Sequence, residues 1–158
     1  MKSKYLFILT ILFTVLWMGV IFSFSNASSD ESNDSSMGVI RYAIKKIYRD
    51  KDDSEIEKIV IKVNKPFRKL AHASVYFVLA NFICSIVIVF KDKIKMCIII
   101  SLIICFLFAC TDEWHQTFIN QRTGQFSDVL IDTLGALVGC FVFNMIIKKI
   151  RKSKKRVI

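Results

Sequence analysis

Long apolar runs alternate with short polar segments along the chain, and these runs determine the predicted elements. Four runs cover about residues 5–25, 70–90, 94–113 and 128–148. Each is close to the roughly 20 residues that an α-helix needs to cross the hydrocarbon core of a bilayer. None shows the two-residue alternation that the strands of a membrane β-barrel require. The pattern predicts an all-α integral membrane bundle of four transmembrane helices.

The sequence disfavours two alternatives to this prediction. A soluble bundle of very apolar helices is disfavoured because "MCIIISLIICFLFAC", residues 96–110, has no polar face. The first run has a basic start and small residues near Ala27, as a cleaved signal peptide would. Its apolar stretch exceeds the roughly 7–15 residues usual in such a signal, which favours a retained helix.

Residues 26–69 separate the first two runs and are predicted to hold two short helices. Residues 23–36 are interpreted as a polar linker. Residues 37–48, "MGVIRYAIKKIY", have the spacing of an amphipathic helix, either packed on the bundle or lying on the lipid surface. Residues 54–64 are predicted to form a second helix that begins at a Ser54/Glu57 capping box. Pro66 is expected to mark the turn into the membrane.

Charge predicts the orientation of the bundle. The chain is 54% hydrophobic with a net charge of +10, and its basic residues lie mainly near the ends of the spans. Lys2 and Lys4, the turn at residues 91–95 and the tail at residues 148–158 fall on one side, which the positive-inside rule assigns to the cytoplasm. Both termini are therefore predicted to be cytoplasmic. The loop 26–69 is predicted to be extracytoplasmic, since eight acidic residues accompany its ten basic ones.

The same topology accounts for the positive charge without a nucleic-acid partner. Basic segments beside a membrane lie against anionic lipid headgroups, so membrane lipids are the expected partners. No nucleic-acid-binding module is recognisable. The five cysteines lie in the apolar spans without metal-ligand spacing and are expected to act as small apolar residues; they are Cys84, Cys97, Cys105, Cys110 and Cys140. We expect no cofactor.

Polar residues of the membrane region gather at the predicted extracytoplasmic end of the bundle. On span two, Arg68, His72 and Tyr76 are four residues apart and share one face of the helix. Asp132 lies one turn deeper in span four than Asp128, and an ionisable group at that depth is expected to face the bundle interior and to be paired. The remaining members come from span three, the following loop and span four: Asp112, Glu113, Gln116, Arg122, Asp128 and Asp132. Lys69 adds another cation to span two. Gly135 and Gly139 have GxxxG spacing, which predicts that span four approaches another helix closely.

Three interpretations of this cluster remain open. The cluster is interpreted as a structural network that fixes how the helices pack, as a binding or catalytic cavity, or as a metal site. Paired carboxylates beside a histidine suit acid–base chemistry, and the cations suit a phosphate. A mixed His and carboxylate set is acceptable for zinc, but the adjacent Arg and Lys oppose a divalent cation and the spacing of His115 fits no HExxH motif. We expect no metal.

The elements "RKLAHASVY" and "TDEWHQTFINQRTGQFSDVLIDTLGALVG", with "FSFSN" at the end of span one, resemble the VanZ-like family of small bacterial membrane proteins. Two positions depart from the family's pattern: Asn26 stands where Gln is frequent, and Asp132 where Asn is frequent. The signature positions carried over by the resemblance are Lys69, His72, Tyr76, Asp112, Glu113, Gln116, Arg122, Asp128, Gly135 and Gly139.

The resemblance implies a bacterial cell-membrane protein linked to teicoplanin resistance without clear vancomycin resistance. The expected ligand is a lipid-linked cell-wall precursor or a lipoglycopeptide, bound at the outer face. The predicted ligand-binding residues are Arg68, Lys69, Tyr76, Gln116, Arg122, Asp128 and Asp132. His72, with Asp112 or Glu113, is the predicted acid–base pair if catalysis takes place. The sequence leaves open whether it does, and it leaves the oligomeric state open as well.

Overall fold

The fold is an arrangement of five helices, given by a computed structural model that describes residues 2–90 and 93–154. The helices are α1 (Lys2–Ser25), α2 (Ser29–Ile47), α3 (Asp53–Phe90), α4 (Ile94–Gln116) and α5 (Phe126–Lys154). Four of them, all except α2, are long and apolar enough to cross a membrane. Within the described residues there is no strand. The prediction of an all-α, four-span membrane protein is confirmed.

The outer surface of the bundle is apolar, as contact with lipid requires. Large apolar side chains such as Ile8, Leu107 and Leu134 are exposed along α1, α4 and α5. A soluble monomer rarely exposes apolar patches of this extent, because water does not solvate them favourably. The hydrocarbon of the bilayer covers them instead.

Helix α3 lies at the centre of the bundle and contacts all four other helices. Its residues Tyr76 and Leu79 are fully buried, together with Cys97 of α4 and Cys140 of α5. The indole N–H of Trp17 in α1 donates a hydrogen bond to the carbonyl of Val75 at 2.9 Å. The four spanning helices are therefore held to one another mainly through α3.

The glycine pair of α5 explains why its interface with α3 is so close. A Cβ atom added at Gly135 would overlap the backbone of Ala73, and one at Gly139 would lie 2.5 Å from the carbonyl oxygen of Phe77. Only a residue without a side chain allows two helix backbones to approach to this distance. The close approach predicted from the GxxxG spacing is confirmed.

The predicted turn at Pro66 is wrong, because α3 runs through this proline as one helix of 38 residues. A proline inside a helix loses one backbone hydrogen bond and costs about 3 kcal/mol in isolation. Tertiary contacts hold the helix together here. Ile56 and Val60, before the proline, form a small core with Ile40 and Ile44 of α2. The predicted helix over residues 54–64 is present, but it is the first part of α3.

Two further local predictions are corrected, one at the start of α2 and one at the start of α3. The residues assigned to a polar linker are mostly helical, because Ser28 caps α2 in a capping box with Glu31. In the part of the chain that the structure describes, no capping box forms at Ser54. Helix α3 begins at Asp53, and the Ser54 hydroxyl donates a hydrogen bond to the Asp52 carboxylate. Helix α2 buries Ile40 and Ile44 against the first part of α3, while Val39, Tyr42 and Ile47 stay exposed, so packing accounts for only one part of its apolar surface.

Some of the basic residues that predict the orientation of the bundle, Lys91 and those within residues 155–158, lie outside the described residues. Residues 148–154, predicted as tail, continue α5 as helix.

At about 1.5 Å per residue, the 38 residues of α3 extend for roughly 57 Å, well beyond a hydrocarbon core of about 30 Å. The first part of α3 and α2 therefore form a helical hairpin, residues 29–66, that projects past the spans.

Candidate functional site

The predicted polar residues meet at one end of the bundle, where α1 and α4 end and α5 begins. The Ser25 hydroxyl at the end of α1 donates to Asp112 of α4 at 2.7 Å. Lys69 of α3 forms an ion pair with Asp128 of α5 at 3.4 Å. Arg122, in the loop between α4 and α5, donates to the backbone carbonyl of Ser25 at 3.3 Å. All four spans and the loop between α4 and α5 are thus involved in polar contacts at this end.

Asp112 belongs to a buried hydrogen-bond network. Its side chain is 3% exposed, and its Oδ2 accepts hydrogen bonds from Ser25 at 2.7 Å and from Gln116 at 3.3 Å. Gln116 also donates to the Ser25 hydroxyl at 3.1 Å. A buried polar group that lacks such partners costs about 1–3 kcal/mol. These three residues fix the end of α1 against α4, which is a packing role.

Glu113 orders the loop that carries Arg122. Its Oε1 accepts a hydrogen bond from the backbone N–H of Gln125 at 2.7 Å. Gly124 lies so near that an added Cβ would be 2.9 Å from the Glu113 carbonyl oxygen. Gln121 adopts a left-handed conformation with a φ of 60°. The loop therefore folds back over the end of α4 and brings Arg122 towards α1 and α3.

A polar cavity of about 300 Å³ lies beside this network, between α2, α3, the loop and α5. Most of the residues around it can form hydrogen bonds, and four are cations. The lining comprises Ser29, Asn33, Asn64, Lys65, Arg68, Lys69, His72, Gln116, Gln121, Arg122, Thr123, Gln125, Asp128, Ile131 and Asp132. Four Lys and Arg side chains face two carboxylates in this lining, so its net charge is positive.

The cations of the cavity are held close together. Burial, followed by the neighbouring positive charge of Arg68, lowers the pKa of the Arg122 guanidinium. Arg68 in turn donates to the Asn33 side chain at 2.7 Å. The amide of Asn64 donates to the same oxygen at 3.1 Å, so α2 is tied to α3 at the rim of the cavity. Like charges at short range repel each other, and an anion between them would relieve the repulsion.

Some buried polar atoms near the cavity lack a partner within the described part of the chain. They include Arg122 Nε, Asp132 Oδ1, Asp112 Oδ1 and the hydroxyl of Tyr76. Asp132 is 3% exposed and Tyr76 is fully buried, with its ring 6.1 Å from that of Phe108. Arg122 and Asp132 line the cavity, whereas Tyr76 lies in the core behind it.

The two histidines have different surroundings. His72 lines the polar cavity. His115 stacks on Phe22 with a ring separation of 4.4 Å, and its Nε2 lies 3.4 Å from the Asn26 side chain. His115 therefore packs α4 against α1 and takes no part in the cavity lining. Among the described residues, no group of three or more His, Cys, Asp and Glu side chains is arranged to hold a metal ion.

Apart from Tyr76, which lies in the core, the predicted site residues fall into two groups. Asp112 and Glu113 belong to the packing network and the loop support, and they do not line the cavity. The predicted residues that the cavity brings together are Arg68, Lys69, His72, Gln116, Arg122, Asp128 and Asp132. Arg122 and Gln116 belong to both groups.

Sequence reasoning missed Lys65, Asn33 and Asn64. One face of α3 carries four polar residues spaced i, i+3, i+4 and i+7: Lys65, Arg68, Lys69 and His72. That stripe was available in the sequence, but the expected turn at Pro66 separated Lys65 from it. Asn33 was assigned to a linker, and its position depends on how α2 packs.

A family model described as VanZ/LLP1 matches residues 10–148, which is most of the chain. No curated protein matches the chain, and no solved structure does.

Proposed function

The chain belongs to the VanZ/LLP1 family, and on that premise we propose that its polar cavity binds an anionic envelope molecule. The ligand class is a lipid-linked cell-wall precursor or a lipoglycopeptide. The observation that carries the proposal is the convergence of four cationic side chains on one cavity of about 300 Å³. Volumes from about 300 Å³ upward are typical of small-molecule sites.

Arg68, Lys69 and Arg122 are predicted ligand-binding residues, and Lys65 is the fourth cation in the cavity lining. Arginine binds phosphate with two parallel hydrogen bonds, and lysine acts as a point charge. Arg122 also has a buried Nε without a partner among the described residues. Since an unpaired buried donor is costly, a phosphate oxygen at this position would stabilise the site.

Acid–base chemistry at this site would involve His72, because it lines the cavity. Its predicted partners, Asp112 and Glu113, already accept hydrogen bonds from Ser25 and from the Gln125 backbone. These contacts support a binding function more directly than a catalytic one. Catalysis by this set stays a prediction.

A structural role for part of the cluster is the second candidate. The hydrogen bonds among Ser25, Asp112 and Gln116 join α1 to α4 and leave no room for a ligand between them. The proposal therefore assigns packing to this network and binding to the cavity.

The proposed orientation places the cavity outside the cytoplasm, in the bacterial cell membrane, with both termini cytoplasmic. The link to teicoplanin resistance is part of the same proposal. Glycopeptides and cell-wall precursors are both met at the outer face, which suits a cavity at that end of the bundle.

The binding test uses inorganic pyrophosphate and the purified full chain in detergent, followed by isothermal titration calorimetry. Lys65→Ala and Arg122→Ala each remove one charge from the cavity. Lys62→Ala, on the same helix but outside the cavity, is the matched control. Because a charge-assisted hydrogen bond contributes about 1.5–3 kcal/mol, each cavity variant should weaken binding by about tenfold or more. Absence of pyrophosphate binding, or equal weakening by Lys62→Ala, would contradict the proposal.

The cellular test compares teicoplanin and vancomycin susceptibility in a bacterial strain that lacks any homologue. The wild type should raise tolerance to teicoplanin alone. Arg122→Ala should abolish this effect at a membrane abundance matched by immunoblot, whereas Lys62→Ala should retain it. If the wild type leaves both susceptibilities unchanged, the resistance part of the proposal fails.

A further inference from the structure

A second cavity, of about 550 Å³, lies next to the polar one, between the end of α1, α2 and the middle of α3. We call it the apolar groove. Its apolar walls come from Phe24, Val39, Phe67, Ala71 and Val75. Polar residues of α2 also line the groove; they are Glu31, Ser32, Ser35 and Ser36.

The two cavities share part of their lining. Arg68, His72 and Arg122 line both the polar cavity and the apolar groove. The partition between them is therefore made of two cations and a histidine. A molecule that lies across this partition would place a charged group on one side and an apolar group on the other.

The groove follows α3 from its polar end into its apolar span. Phe67 and Val75 are eight residues apart, which is about 12 Å along a helix. Phe24, which also lines the groove, ends the apolar run of α1. On α3 the polar cavity is lined by residues 64–72 and the groove by residues 67–75, so the two overlap and the groove reaches three residues further into the apolar span.

We infer that the apolar groove binds the single apolar tail of the molecule whose anionic head group occupies the polar cavity. This inference rests on the proposed function and narrows the ligand to a phosphate-bearing amphiphile with one chain, such as a polyprenyl diphosphate. The cations between the two cavities complement a phosphate located where head group and tail join. Two adjacent sites with these opposite polarities match the two parts of such a molecule.

A helix from a second copy of the chain fits the groove less well. A helix with its side chains is about 10–12 Å across, so a 12 Å length occupies roughly 900 Å³ or more. The groove offers about 550 Å³.

The test measures competition between two soluble probes, inorganic pyrophosphate and farnesyl diphosphate, on the full chain in detergent. Ala71→Phe fills the groove without changing any charge. Leu70→Phe is the matched control, because Leu70 is exposed on the same helix outside both cavities. The measured quantity is the ratio of the two dissociation constants, since partitioning of the farnesyl chain into detergent affects all variants equally.

We expect the wild type and Leu70→Phe to bind farnesyl diphosphate more tightly than pyrophosphate. In Ala71→Phe this preference should fall by about tenfold, which corresponds to ~1.4 kcal/mol. Val39→Asn, at an exposed position of the groove wall, should reduce it in the same direction and serves if Ala71→Phe does not fold.

Two outcomes of this experiment would contradict the inference, and a third would contradict the proposed function. If pyrophosphate binds and depends on Lys65, but Ala71→Phe and Val39→Asn keep the preference, the groove does not bind the tail and the proposed function still stands. If farnesol competes as well as farnesyl diphosphate, the groove is a general lipid contact and the inference is wrong. If pyrophosphate does not bind at all, the proposed function fails on its own test.

Discussion

A methyl group added at Gly135 should force α5 away from α3. An ideal Cβ atom at this position lies 2.8 Å from the Ala73 Cα and overlaps its carbonyl group. Both obstructing groups are helix backbone, so no side-chain rotation can relieve the overlap and the helices must separate. The change also disturbs the polar cavity, because Asp132 lies one turn before Gly135 on the same helix.

The magnitude follows from two opposing effects. Overpacking a close contact costs about 1–3 kcal/mol. Replacing glycine by alanine within a helix returns about 0.5–1 kcal/mol. Because the overlap is with backbone, we place the packing cost in the upper half of its range. Gly135→Ala should therefore lower the free energy of unfolding by about 1–2.5 kcal/mol.

The assay is reversible unfolding in mixed micelles with increasing SDS mole fraction, followed by circular dichroism. Gly19→Ala is the control, since none of the described residues places an atom within 4 Å of a Cβ added at Gly19. It should unfold at the same SDS fraction as the wild type or slightly above it. If Gly135→Ala is as stable as Gly19→Ala, the α3 and α5 backbones do not pack as described and the reasoning is refuted.

Three other predictions concern the network, the cap and the orientation. Ser25→Ala removes a donor from buried Asp112 and should cost about 1–3 kcal/mol in the same unfolding assay, and a stability equal to that of the wild type would contradict the network. Ser28→Ala removes the capping box and should destabilise the first turn of α2 by about 1 kcal/mol, measured as faster amide exchange there; unchanged exchange would contradict it. In a cysteine-free background, a membrane-impermeant maleimide added to intact cells should label Asp34→Cys but not Ser153→Cys, and the reverse pattern would overturn the proposed orientation.

A capping box forms at Ser28, whereas the sequence analysis predicts one at Ser54. Ser54 and Glu57 have the same spacing as Ser28 and Glu31, so the sequence offered two equivalent boxes. The structure uses the box at Ser28, where Glu31 accepts from the Ser28 backbone N–H at 2.9 Å. Glu57 instead pairs with Arg41 of α2 at 2.9 Å. A contact between two helices decided which of the two boxes forms.

The sequence by itself determined the four spans, because the length of an apolar run is a local property that the bilayer thickness selects. It also placed the polar residues at one end of the bundle, and the GxxxG spacing predicted the close approach of α5. These features depend only on residues near one another in the chain.

Only the tertiary structure decided what the polar residues do. Asp112 and Lys69 carry charges that the sequence placed in one cluster, yet one is buried in a packing network and the other lines a cavity. Helix α3 continues through Pro66 because α2 packs against it, and that continuity brings Lys65 to the site. The apolar groove likewise exists only where α1, α2 and α3 meet. Each of these outcomes depends on contacts between distant segments, which outweigh the local preferences that a sequence displays.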